Sequence, residues 1–138
     1  MVISTKGRYA LRVMVNLARR SQAYVPLKEI AEEEQISQKY LEAIMTTLSK
    51  AGMVDAVHGK GGGYRLNRSP EAYTVGSILK LTETSLAAVA CTAEGAKACS
   101  RSAQCVSRPL WERLDKLIDD FLESTTLADL LAEQPLQI

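Results

Sequence analysis

The chain has 138 residues, 46% of them hydrophobic, 24% charged and 5% aromatic, with a formal net charge of +1. That is enough for one domain with a core of Leu, Ile, Val, Ala and Met, with room for an appended arm. No apolar run approaches the ~20 residues that span a bilayer, and the opening MVISTKGRYALRVMV has no signal-peptide pattern, so a cytoplasmic protein with no membrane partner is expected.

The small net charge hides an asymmetry. Residues 1–70 carry eleven Lys/Arg against six Asp/Glu, and residues 71–138 carry six against ten. A basic first half suits a polyanionic partner, and an acidic second half does not.

In chain order, Thr5 to about Arg20 has Tyr9, Ala10, Val13, Met14 and Leu17 at helical spacing, with Arg8, Arg12, Arg19 and Arg20 on the other side. Ser4 or Thr5 is placed to cap it. The connector SQAYVP ends in Pro26, a good first helical residue. A two-turn helix, LKEIAEEEQ, follows. The pattern breaks at Ile36-Ser37, and a second helix, QKYLEAIMTTLSKAG, starts with Ser37 as its cap and stops at Gly52. Two helices joined by three or four residues are a helix-turn-helix signature.

The period then changes. Residues 53–57 read as a strand, HGKGGG as a glycine-rich turn and residues 64–67 as a return strand, with His58, Lys60, Arg65 and Arg68 expected around the tip. A hairpin after the second helix makes a winged helix-turn-helix. The GKGGG run is not a phosphate loop, because it leads into a strand and lacks the following Ser/Thr. Thr74 to Glu83 reads as another helix.

The segment CTAEGAKACSRSAQC, residues 91–105, holds all three cysteines and reads as a loop. From Pro109 a long helix begins, with Ser107 as its expected cap. Leu110, Leu114, Leu117, Ile118, Phe121 and Leu122 form a broad apolar stripe, and Asp115, Asp119, Asp120 and Glu123 are expected to face away. A stripe this wide needs burial, and a second copy of the helix is the expected cover, making a homodimer. Thr126 caps a short last helix. The fold class expected is mostly α with a small β-hairpin wing. Residues 1–82 form a winged helix-turn-helix DNA-binding domain, 83–108 a cysteine loop, and 109–138 a dimerisation helix and C-terminal helix.

In such a fold the second helix enters the major groove of double-stranded operator DNA with its N-terminus first. That nominates Ser37, Gln38, Lys39, Tyr40, Glu42, Ala43 and Thr46. Gln38 can pair with adenine and Glu42 with the cytosine amino group, while Lys39 and Tyr40 suit phosphates. At the wing, Arg65, Lys60 and His58 suit phosphate or the minor groove. No enzyme is expected, because the one histidine sits on the wing and leaves no Ser/His/Asp set.

The cysteines are separated by seven and then five residues, unlike the C-x2-C of zinc ribbons. In a reducing compartment such a group points to metal or redox chemistry. An iron–sulfur cluster, a thiol-oxidation switch and three plain thiols all stay open on the residues alone.

Four stretches are distinctive together: ISTKGRYAL at residues 3–11, ISQKYLE at 36–42, HGKGGGYRL at 58–66, and the run from Cys91 through PLWERL. Over nearly its whole length the chain resembles the Rrf2 family of bacterial transcription regulators, and most of all its iron–sulfur (IscR) branch. The resemblance implies a homodimer crossed through the long helix and a [2Fe-2S] or [4Fe-4S] cluster on Cys91, Cys99 and Cys105. It implies sequence discrimination by Glu42, with Ser37 and Tyr40 facing DNA. It also shows departures. The wing position usually held by arginine is His58, and the position of the cluster-completing histidine is Arg108, which cannot ligate iron. Other branches take a carboxylate from the partner's first helix, where this chain has Arg8 and Arg12. Glu94, Ser100, Ser102, Gln104, water or a small thiol remain to fill an open fourth position. The function implied is a repressor sensing iron–sulfur status, iron, or redox or nitric oxide stress. The alternative is a metal-free thiol-redox or partner-controlled regulator of cysteine and sulfur metabolism genes.

Overall fold

A computed structural model describes residues 1–20 and 23–132. Ser21 and Gln22 of the expected connector, and residues 133–138, lie outside the described residues. The elements run α1 (Thr5–Ala18), α2 (Leu27–Glu34), α3 (Gln38–Lys50), β1 (Val54–Val57), β2 (Gly63–Leu66), α4 (Val75–Thr82), α5 (Arg108–Ser124) and α6 (Leu127–Leu131).

The helix starts follow the polar residues in front of them. Ser4 Oγ accepts from Gly7 N at 3.0 Å and Ser37 Oγ from Tyr40 N at 3.2 Å, satisfying N–H groups that a first turn leaves free. Pro26, expected inside α2, stands one residue before it as its cap. Gln35 ends α2 in a left-handed conformation (φ 57°), and Gly52 does the same after α3 (φ 72°).

β1 and β2 pair antiparallel with Val54 opposite Leu66 and Val57 opposite Gly63. Two glycines set the shape of this hairpin. A Cβ at Gly62 would strike the Val57 carbonyl, and one at Gly63 the Val25 carbonyl. The close approach at Gly63 lets Val25 and Tyr64 exchange backbone hydrogen bonds at 2.8 and 2.9 Å, tying the α1–α2 connector to the wing.

One core gathers all of this. Val13, Met14, Ile30, Leu41, Ile44, Met45, Leu48 and Ile78 are fully buried. Tyr73 is buried with them, and its hydroxyl donates to Met53 O at 2.9 Å and accepts from Asn67 N and Arg68 N. After the long α5 the chain returns to this core. Leu127 is fully buried, Val75 N donates to Thr125 O at 2.8 Å, and Leu127 N donates to Tyr73 O at 3.1 Å. Thr126 and Asp129 form the capping box of α6. The last helix is thus part of the first core, not an extension of the arm.

Candidate nucleic-acid interface and cysteine segment

Helix α3 divides cleanly. Leu41, Ile44, Met45 and Leu48 are fully buried, while Ser37, Gln38, Lys39, Tyr40, Glu42, Ala43 and Thr46 are all exposed. The period of the buried set leaves the opposite face free along the helix. Tyr40 packs edge-on against Tyr9 of α1, ring centres 5.8 Å apart, which orients its ring without burying it. Lys6 Nζ donates to Thr47 Oγ1 at 3.1 Å, so the first turn of α1 stands beside α3. Lys6 is not among the residues that the sequence pattern nominates. Its place in a basic first turn with no acidic residue was the available signal.

The wing is less basic than its sequence. His58 and Lys60 are exposed at the tip. Arg65 is not at the tip. It sits opposite Asp55 in the hairpin register, with Nε 3.6 Å from Oδ2, and its guanidinium lies 4.4 Å from the centre of the Tyr24 ring. Arg68, also expected near the tip, folds over Tyr73 at 4.7 Å and donates to Gly52 O at 3.1 Å. Two more cations of the basic half are committed elsewhere. Arg12 pairs with Glu34, and Arg20 pairs with Glu29 at 2.9 Å and with Glu33, clamping α1 to α2. These bonds hold the Arg20 guanidinium more firmly protonated and the Glu33 carboxyl below the usual carboxylate range.

The cysteine segment has a different character. Cys91 and Cys99 are exposed, Cys105 is half-buried, and none is in a disulfide. Only local turns organise the stretch, such as Ser102 N to Cys99 O at 3.0 Å. The expected cap at Ser107 is absent, because that residue has helical backbone angles and its side chain does not bond the first turn of α5. Its Oγ lies 3.3 Å from Cys105 Sγ instead. The Ser107 hydroxyl, backbone N–H groups of Ser107 and Arg108, and the Arg108 charge lower the Cys105 thiol from its ordinary value. Arg108 Nε is itself paired with Glu112 at 2.7 Å.

The acids of α5 also depart from expectation. Asp119 and Glu123 both bond Lys80 of α4 at 2.8 Å, and Asp115 accepts from Ala88 N at 2.7 Å. They face the body of the protomer, and only Asp120, paired with Lys116, conforms. Three leucines of the stripe stand exposed as well: Leu110, Leu114 and Leu117 are 58%, 37% and 54% exposed.

A family model described as Rrf2, iron-dependent transcriptional regulator, matches residues 3–133. The chain belongs to the Rrf2 family. It is 37% identical over 139 residues to the HTH-type transcriptional regulator IscR of Erwinia tasmaniensis, covering 100% of this chain and 83% of that one. Among solved structures it resembles CymR, the global cysteine regulator of B. subtilis, with a TM-score of 0.79 and 34% identity over 98% of this chain and 99% of that one. T. potens IscR matches with a TM-score of 0.75 and 34% identity over 99% and 94%. This Rrf2 chain is therefore a DNA-binding transcriptional regulator and not an enzyme, and its hairpin is the wing of that fold. No helix among the described residues is long and apolar enough to cross a membrane.

The thiols of this Rrf2 chain fit an iron–sulfur cluster in donor chemistry, being three, free, and on a segment held only by local turns. They are not assembled in the protomer: among the described residues no three Cys, His, Asp or Glu side chains stand close enough to share a metal ion.

Proposed function

We propose that the protein is a dimeric repressor. It reads operator DNA with Ser37, Gln38, Lys39, Tyr40 and Glu42 of the α3 region and with His58 and Lys60 of the wing. It senses iron–sulfur status, iron, or redox or nitric oxide stress through Cys91, Cys99 and Cys105. The observation that carries this reading is the coincidence of all three thiols with the stretch where the protomer buries nothing. The family's iron-dependent description supports it.

Within the protein, Cys91, Cys99 and Cys105 would hold the cluster, which supplies a group that oxygen, nitric oxide or iron shortage can remove. Arg108 offsets thiolate charge and gives no fourth ligand, so that position stays open to Glu94, Ser100, Ser102, Gln104 or solvent. Exposed Leu110, Leu114 and Leu117 would meet the same face of a second subunit, setting two α3 helices on successive major grooves. Arg65 would act from the flank of the wing, through its stack on Tyr24. A regulator of this kind would act in the cytoplasm.

A second reading has its own observation. The lowered Cys105 thiol beside Ser107, and the structural likeness to a cysteine regulator, favour a metal-free thiol-redox or partner-controlled switch over sulfur genes. Selection of duplexes by the anaerobically purified protein, before and after iron chelation, tests both. The first reading expects a dyad-symmetric site whose affinity changes on chelation, with Glu42→Ala relaxing one base pair by about 1–3 kcal/mol of discrimination. A selected site indifferent to chelation and sensitive to thiol alkylation supports the second reading. No enriched sequence overturns both.

A further inference from the structure

The wing ends in a single titratable group of a special kind. His58 is the only histidine in the chain, and it opens the turn between β1 and β2, where residues 58–61 are all exposed. The charged groups around it are accounted for. The hairpin strands carry one acid, Asp55, and it faces Arg65 across the register. The α1–α2 connector meets the strands near the turn, where Val25 bonds Tyr64 and Tyr24 lies under Arg65, while Arg68 is held on Tyr73 and Gly52 O at the other end of the hairpin. Neither His58 nor Lys60 takes part in an ion pair among the described residues. The free positive charge of the tip is therefore Lys60 alone when His58 is neutral, and Lys60 with His58 when it is protonated.

We propose that His58 makes operator binding proton-linked, so that the wing grips DNA more tightly as the medium acidifies. This rests on the DNA-binding reading of the wing given above. Histidine is the side chain whose charge changes near neutral pH, and neighbouring phosphates favour its imidazolium form. Binding then takes up a proton at each wing. The added grip therefore belongs to the more acidic medium and fades as the medium becomes more alkaline. One linked proton weakens binding by at most about tenfold per pH unit. An arginine there would grip DNA at any pH.

The test is the affinity of the full chain for the duplex that it selects at mildly acidic pH, measured from about pH 6 to about pH 8 at constant ionic strength. The wild type should lose affinity steadily across this range. His58→Arg should bind tightly with a flat profile, and His58→Gln weakly with a flat profile. A flat wild-type profile overturns the inference, as does a His58→Gln profile that keeps the wild-type slope, which would assign the proton to another group such as the Cys105 thiol. If neither wild type nor His58→Arg enriches any duplex at any pH, the DNA-binding reading fails as well. A flat profile on a bound duplex removes only the role of His58.

Discussion

Residues 4–79 and residues 80–124 are built on opposite terms. The first stretch, joined by Leu127, buries nearly every apolar side chain its helices point inward; Tyr73 is bonded in place through its hydroxyl, and Asn16 donates its amide to Glu33 and Glu34 while its Oδ1 has no partner among the described residues. The second contains no buried residue at all, although it includes a 17-residue helix with one of the longest apolar stripes in the chain. Polar bonds hold that helix to the body: Lys80 to Asp119 and Glu123, Thr74 to Glu123, and Ala88 N to Asp115. A helix tied down by charges on its inner side, with leucines outside, is arranged to receive something. The first stretch is a finished scaffold, and the second, under the proposed function, is the half that a second subunit and the cysteines' ligand would complete.

The comparison breaks if the two regions respond alike to losing an apolar side chain. Leu48→Ala should destabilise the protein by about 2–5 kcal/mol, read from the urea midpoint, because its site in the core is fully enclosed. A loss under 1 kcal/mol would mean that the first region is not the cohesive one. Leu114→Asp should leave the protomer's helical content intact and shift the sedimenting species from two subunits to one, since the new charge would have to be buried only between copies. An unchanged mass would mean that the leucines of α5 are ordinary surface. The smallest effect sharpens the contrast within the cysteine segment. Ser107→Ala should raise the Cys105 thiol back toward its ordinary value, so that at neutral pH less thiolate is present and alkylation of Cys105, followed by peptide mass spectrometry, slows. Equal rates in both proteins would show that the serine does not set the thiol.

The helix order, the turn before α3, the wing and the α3 faces were legible because each rests on local rules: spacing, caps and glycine. Ser37, Thr126 and Gly52 act where their chemistry said they would. What was not legible depended on partners distant in sequence. Arg65 and Arg68 read as free wing cations until Asp55, Tyr24 and Tyr73 came beside them. Asp119 and Glu123 read as solvent-facing because Lys80 lies on another helix. Ser107 is a sound cap by type, yet it met a thiol two residues back. The cysteines were visible at once, but their spacing does not bring them together in the protomer.

The claim that residues 80–124 are completed by a second subunit and by iron and sulfide meets its most direct test in native mass spectrometry of the anaerobically purified chain. The account predicts a mass of two subunits plus iron and sulfide, with the added mass lost when Cys91, Cys99 and Cys105 are replaced by serine. A bare monomer, or a dimer with the same mass whether or not the cysteines can bind iron, would contradict it.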